Sequence, residues 1–358
     1  MKATPVEMAS ARRWLQSALS GAELPFSFLF GGTPSGSLLP TWTARSDRRA
    51  LDARRIECTF SWRDPRSGLE VRWVATEYAD FPAIEGILFL SNNAASDTEL
   101  LENIQALDTV VSCSRGTCML RYSRGAVTYM DDYAPVDRAL NDARSELRLV
   151  AGGGRSSSDF LPFFNADLAG EGVVVGIGWT GEWAARFARD GNRLRIQAGM
   201  DLTRFRLHPG EAVRSPRTLM LFWQGDRMRG HNLLRGLILA HHCPQADGRP
   251  LSVPVLSPSW GSTPAAVHCA NVGKLISHRL PIDYYWIDAE WHGVGPWWQN
   301  VGNWEIRRDL YPQGFKPISD LLHASGRKFQ FWFEPHRVAP GTPWHREHGV
   351  SSRSSSRA

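Results

Sequence analysis

YYWIDAEWHG, residues 284–293, is an apolar aromatic run that stops at Asp288 and turns into a segment carrying Trp, His and Gly. Taken alone it is a strand ending in a carboxylate, whose plainest role is to cap a turn or the next helix. Its neighbours give it a larger setting. VPVLSPSWG (253–261) is a strand-like run before it, and TPAAVHCANVGKLISHRL (263–280) between the two has helical spacing. GFKPISDLLHASG (314–326) is again helical, ending at Gly326 as a C′ glycine would, and RKFQFWFEPH (327–336) is a third strand. Strand and helix alternating in units of this size predict right-handed βαβ crossovers and a parallel sheet.

Upstream the text changes character. From Phe26 to Trp223 it consists of short runs rich in Val, Ile, Thr, Phe and Trp, such as LEVRWVATEY (69–78), IEGILFLSNN (84–93) and RTLMLFWQG (217–225), punctuated by Gly, Asn and Asp. Such runs predict antiparallel strands, enough for a large β-sandwich. In ARFARDGNRLRIQ the Asp-Gly-Asn between alternating runs marks a hairpin. Trp179 and Trp183 are expected to be buried packing residues. HNLLRGLILAHHC (231–243) has helical spacing. The chain therefore divides into a segment 1–25, a β domain 26–225, a helical linker 226–250, an α/β region 251–348 and a Ser/Arg tail 349–358 that reads as disordered.

At 358 residues, 42% hydrophobic and 22% charged, the chain is ordinary globular material, long enough for two cores. Its 41 basic and 36 acidic residues are spread along the sequence and form no concentrated patch, which argues against nucleic acid as a partner. No stretch reaches the roughly 18 uncharged apolar residues of a membrane span, and the first residues lack an apolar leader core. The expectation is a cytoplasmic protein with no membrane partner. Five cysteines without a CxxC pair suggest neither a disulfide framework nor a zinc site, although Cys113 and Cys118 are close enough to meet across a hairpin. His292, His323, His336, His345 and His348 lack ligand-like spacing, so no metal and no cofactor is expected.

In a parallel β/α array, ligands sit at the carboxyl ends of the strands. Asp288 ends the second strand and Glu334 the third, while Trp260 ends the first and Trp332 lies just before Glu334. Trp291, Trp297, Trp298 and Trp304 crowd the loop after the second strand. Acid and indole on one rim suggest a sugar, whose hydroxyls donate to carboxylates and whose C–H faces pack on aromatic rings.

The segment IDAEWHG…WWQNVGNWEIRRDLYPQGFKPISDLLHASGRKFQFWFEPHRVAPGT resembles the opening of the catalytic barrel of glycoside hydrolase family 36, the melibiase or α-galactosidase family. GGGRSSSDFLPFFN (152–165), GIGWTGEWAARF (176–187) and LHPGEAVRSPRTLMLFW (207–223) are similar to its N-terminal β-supersandwich. The resemblance implies a β-supersandwich followed by the first part of a (β/α)8 TIM barrel, here about three βα units, and a retaining hydrolase acting on terminal α-galactosyl residues of oligosaccharides. Position by position, Asp288 matches the carboxylate that holds hydroxyls of the non-reducing sugar, Trp332 the tryptophan lining that subsite, and Trp304 the tryptophan of a Gly-Asp-Trp motif. Glu334, Trp291 and Trp260 are assigned to the rim or its support. Glu290 stands where the family usually has Gly, and His336 where it usually has Glu.

The family's nucleophile and acid/base are aspartates at the ends of the fourth and sixth barrel strands. After REH (346–348) the sequence becomes GVSSRSSSRA, so the resemblance implies a truncated chain with both catalytic groups beyond its end and no activity. It also implies a homo-oligomer for full-length relatives. A non-catalytic carbohydrate-binding or scaffold protein is the competing reading.

Overall fold

A computed structural model of the chain describes residues 2–20, 24–113, 118–141, 144–335 and 337–348. It divides into two compact units, Met1–Cys243 and Pro244–Ala358. The Ser/Arg tail and His336 lie outside the described residues.

Among the described residues the first unit holds two antiparallel sheets. The larger, of ten strands, runs in the order Thr43–Ala50, Arg55–Arg63, Leu69–Tyr78, Ala83–Asn92, Arg217–Gln224, Glu171–Gly178, Phe163–Asp167, Cys118–Ser123, Pro135–Leu140, with Ala212–Arg214 paired to Ala83–Asn92. The smaller, of seven, is built around Leu101–Ser112, Arg193–Gly199 and Ala184–Asp190. The apolar faces of the strands supply two large buried clusters. Alternation shows the cause directly: along Ala184–Asp190 every second residue is buried, Ala185 and Phe187 among them. The next strand pairs Asp190 with Arg193, so the hairpin turns on Gly191 and Asn192, with Gly191 in the left-handed region at φ 58°.

GIGWTGEWAARF crosses from one sheet to the other, because Glu171–Gly178 lies inside the larger sheet and Ala184–Asp190 inside the smaller. Trp183 is fully buried and its indole N–H donates to the Ser156 carbonyl at 2.8 Å. Trp179 is only half-buried and carries the Arg214 guanidinium over its ring at 5.5 Å. Cys113 and Cys118 are buried free thiols, and burial, with the neighbouring Cys113, pushes Cys118 up to about 12.

Two segments differ from the sequence reading. Residues 1–25 contain a helix, Pro5–Leu19, opened by a capping box in which Thr4 accepts from the Glu7 N–H and the Glu7 carboxylate accepts from the Thr4 N–H. The segment 226–250, read as a helical linker, is divided between the two units. Asp226 caps the helix Arg227–Leu237, and Leu233 and Leu237, one turn apart, are buried with Tyr78, Phe81, Leu221 and Trp223 of the sandwich. This helix is part of the first unit's core, and the division falls after Cys243.

The second unit contains the parallel sheet: Leu256–Ser259, Tyr284–Ile287 and Lys328–Phe331, with the helices Ala265–Ser277 and Lys316–Ala324 between successive strands. Ile318 and Leu322, four residues apart, bury one helix face together with Val272, Tyr285 and Ile287. The second helix ends as its sequence predicts. Gly326 takes φ 73°, its N–H bonds to the His323 carbonyl, and the Arg327 N–H reaches back to Leu322. Among the described residues no helix is long and apolar enough to cross a membrane.

Candidate functional site

The three strands are in register, Ser259 beside Ile287 and Ile287 beside Phe331. The next residue along each strand is therefore Trp260, Asp288 and Trp332, in one row across the carboxyl ends. Backbone bonds hold the row: the Asp288 N–H donates to the Ser259 carbonyl at 2.8 Å and the Trp332 N–H to the Ile287 carbonyl at 2.9 Å. Tyr285, Ile287, Phe329 and Phe331 pack toward the helices. By the two-residue period of a strand, Asp288 and Trp332 belong to the opposite face.

The Asp288 carboxylate accepts from the N–H of Ala289 at 2.7 Å and is half-buried. Among the described residues no cation pairs with it. One oxygen thus braces the local turn, and the carboxylate keeps acceptor capacity for hydroxyl groups.

The aromatic residues form one connected group. Trp332 lies 6.2 Å from Trp304 and 5.4 Å from Trp297, and His292 stacks parallel to it at 6.0 Å. Trp291 is 3% exposed, so it belongs to the core beneath the rim; its indole N–H fixes the Trp332 carbonyl at 3.0 Å. Trp298 is exposed. Glu334 pairs with Arg337, whose guanidinium lies over the Trp297 ring at 5.1 Å.

Two features escaped sequence reasoning. His292 is completely buried among Trp291, Trp304 and Trp332, and burial lowers its pKa. The sequence shows it only as one histidine in a Trp-rich loop. Below the rim lies a second histidine, His268, between two phenols: the Tyr311 hydroxyl donates to the Gly261 carbonyl at 2.8 Å, and so accepts from His268 Nε2 at 3.0 Å. His268 Nδ1 is then left to accept from Tyr285 at 2.9 Å. This chain of bonds braces the turn that carries Trp260. The helical spacing placed His268 on the helix without revealing which side chains it meets.

His268 is fully buried and burial brings its pKa down from 6.5 to about 4. The unfolded chain takes up a proton near pH 6.5 that the folded unit refuses until about pH 4. Stability of the second unit is therefore full above about pH 6.5 and falls as the pH drops toward 4, by about 3 kcal/mol. Protection factors of the Ala265–Ser277 amides, exchange rates corrected for the intrinsic fall with pH, should decrease over that window, and His268→Gln should flatten the dependence. An unchanged profile in the variant would assign the acid sensitivity to other groups.

Glu290 sits at φ 72°, which costs a side chain about 1–2 kcal/mol relative to glycine. The resemblance implies a glycine at this place, and the backbone of Glu290 lies in the left-handed region that glycine adopts freely. Its Oε2 accepts from the Trp260 indole N–H at 2.8 Å.

The architecture is that of a large antiparallel β-sandwich joined to an α/β unit with its polar and aromatic groups on one end of a parallel sheet. Residues 224–351 match the Melibiase family model. It is 23% identical over 211 residues to the α-galactosidase Mel36A of Lactobacillus acidophilus, a match covering 54% of this chain and 28% of that protein. The fold matches the α-galactosidase from Lactobacillus brevis with a TM-score of 0.69 at 16% identity, covering 91% of this chain and 46% of that one. It also matches the α-galactosidase AgaA from Geobacillus stearothermophilus, solved as a variant in complex with stachyose, with a TM-score of 0.67 at 17% identity, covering 91% and 48%. The chain thus spans less than half the length of these relatives.

Proposed function

We propose that residues 1–358 provide the galactosyl-holding part of an α-galactosidase-type retaining glycoside hydrolase. Hydrolysis itself would require carboxylates from barrel strands other than the three found here. The observation that carries this reading is the row Trp260, Asp288, Trp332 across three parallel strand ends, lying inside the region that matches the melibiase model. Asp288 accepts hydroxyls of the terminal sugar, Trp332 with Trp304 supplies aromatic surface, and Glu334, engaged by Arg337, shapes the rim. The substrate class is α-galactoside oligosaccharides; relatives were solved with stachyose and raffinose.

Titration of the chain with raffinose tests it. Asp288→Ala should weaken binding by about 10- to 100-fold, the loss of one charge-assisted hydrogen bond of about 1.5–3 kcal/mol. Undiminished affinity in this variant would return Asp288 to the role of a turn residue.

A further inference from the structure

We propose that Glu290 is a positioning residue that holds the Trp260 indole as an aromatic platform beside Asp288; the inference rests on the galactoside reading above. Trp260 needs such a tether. It is 42% exposed, and among the described residues it makes no ring or cation–π contact. Its single specific polar contact is the 2.8 Å bond to Glu290 Oε2.

The backbones of the two turns are already locked together. The Gly261 N–H donates to the Ala289 carbonyl at 2.8 Å. A Cβ on Gly261 would lie 2.4 Å from both the Ala289 oxygen and the Trp291 nitrogen, so only glycine permits this approach. With the main chain fixed, the remaining freedom of Trp260 is rotation of its side chain, and Glu290 removes it. Glu290 does so from a left-handed backbone, a conformation that a side chain holds only where surrounding contacts impose it. A glycine would adopt it freely, but could not reach the indole.

The bond also decides how Trp260 can meet a ligand. Its N–H is occupied by Glu290, so the ring offers its face and not a donor. A pyranose with a continuous C–H face suits that surface, while Asp288, at the neighbouring strand end, accepts its hydroxyls. Platform and acceptor then act on different sides of one sugar ring, which makes the indole's orientation a determinant of affinity.

The test uses the whole chain labelled with 5-fluorotryptophan, the Trp260 ¹⁹F resonance being assigned by its loss in Trp260→Phe. In the unmodified sequence this resonance should shift saturably with raffinose. Glu290→Gly should move the sugar-free resonance toward its solvent-exposed position and weaken raffinose binding by about 10-fold, while thermal stability stays level or rises because the backbone strain is relieved. Glu290→Gln, which keeps an acceptor oxygen, should preserve both resonance and affinity. A residue with a merely structural role would lower stability in Glu290→Gly and leave affinity intact. Unmodified chain that responds to raffinose no better than Glu290→Gly overturns the positioning role alone. Absence of any raffinose response in the unmodified chain overturns the galactoside reading and the positioning role with it.

Discussion

Incubated with p-nitrophenyl α-galactoside, the 358-residue chain is expected to release no nitrophenol above background, even where raffinose binding is measurable. Retaining hydrolysis needs two carboxyl groups flanking the scissile bond, roughly 5 Å apart, one attacking the anomeric carbon and one protonating the leaving oxygen. The carboxylates near the strand ends are otherwise employed. Glu334 is engaged by Arg337, Glu290 accepts from an indole, and one oxygen of Asp288 braces the turn at Ala289. On the proposed reading, hydroxyl contacts from Asp288 and stacking on Trp332 would hold the sugar in the ground state as well as in the transition state. Such uniform contacts bind sugar without lowering the barrier to cleavage. Saturable turnover abolished by Glu334→Gln would overturn this expectation and make Asp288 and Glu334 a catalytic pair. The assay separates chemistry from binding, because Asp288→Ala is read by raffinose affinity alone.

The parallel sheet was legible because its period and punctuation agree. Gly326 ends a helix where the sequence puts it, and three strand-like runs became three strands in register, which aligned Trp260, Asp288 and Trp332 without any further assumption. The tryptophans were not separable by such means. Trp291 and Trp260 both stand near strand ends in Trp-containing text, yet one is 3% exposed and the other 42%. What divides them is the packing of Trp291 on Phe315, Phe331 and Trp304, contacts from distant parts of the chain. His292 is buried by the same group, and nothing local in the sequence marks a histidine for that environment.

Strand Thr43–Ala50 shows a different limit. Its sequence, TARSDRRA, is exposed at every position, so it carries no alternation to read. It is a strand because Arg55–Arg63 pairs with it along its whole length, at the end of the sheet order. Charged side chains on such an edge discourage pairing with another chain. The glutamate at 290 lies between these cases. Its left-handed backbone agrees with the glycine that the resemblance implies there, but its bond to Trp260 emerges only when two turns 30 residues apart meet.

Glu7→Gln is expected to destabilise the sandwich unit by about 3 kcal/mol or more at neutral pH and to remove part of its acid sensitivity. The signal for this residue was present in TPVE, a capping box at the start of Pro5–Leu19, yet the box alone predicts only a cap. In the fold Glu7 is completely buried. Both its oxygens accept from Arg229, one of them at 2.7 Å, and the backbone N–H groups of Thr4 and Gln224 donate to it at 2.8 and 3.0 Å. A single carboxylate therefore ties the first helix to the strand Arg217–Gln224 and to the helix Arg227–Leu237. Burial pushes the carboxyl up, but the Arg229 guanidinium and the two N–H groups outweigh it and bring its pKa from 4.5 to about 2. The unfolded chain takes up this proton near pH 4.5 and the folded unit only near pH 2, so the contribution is complete above pH 4.5 and disappears as the pH falls toward 2. A shift of that size corresponds to about 3 kcal/mol. Removing the charge also leaves Arg229, half-buried, with only neutral acceptors such as the Lys2 carbonyl, which adds to the loss. Urea titrations followed by near-UV circular dichroism between pH 2 and 7 measure both effects. A variant whose midpoint at pH 7 equals that of the unmodified chain would show that the first helix is held by its apolar residues Ala11 and Leu15 alone.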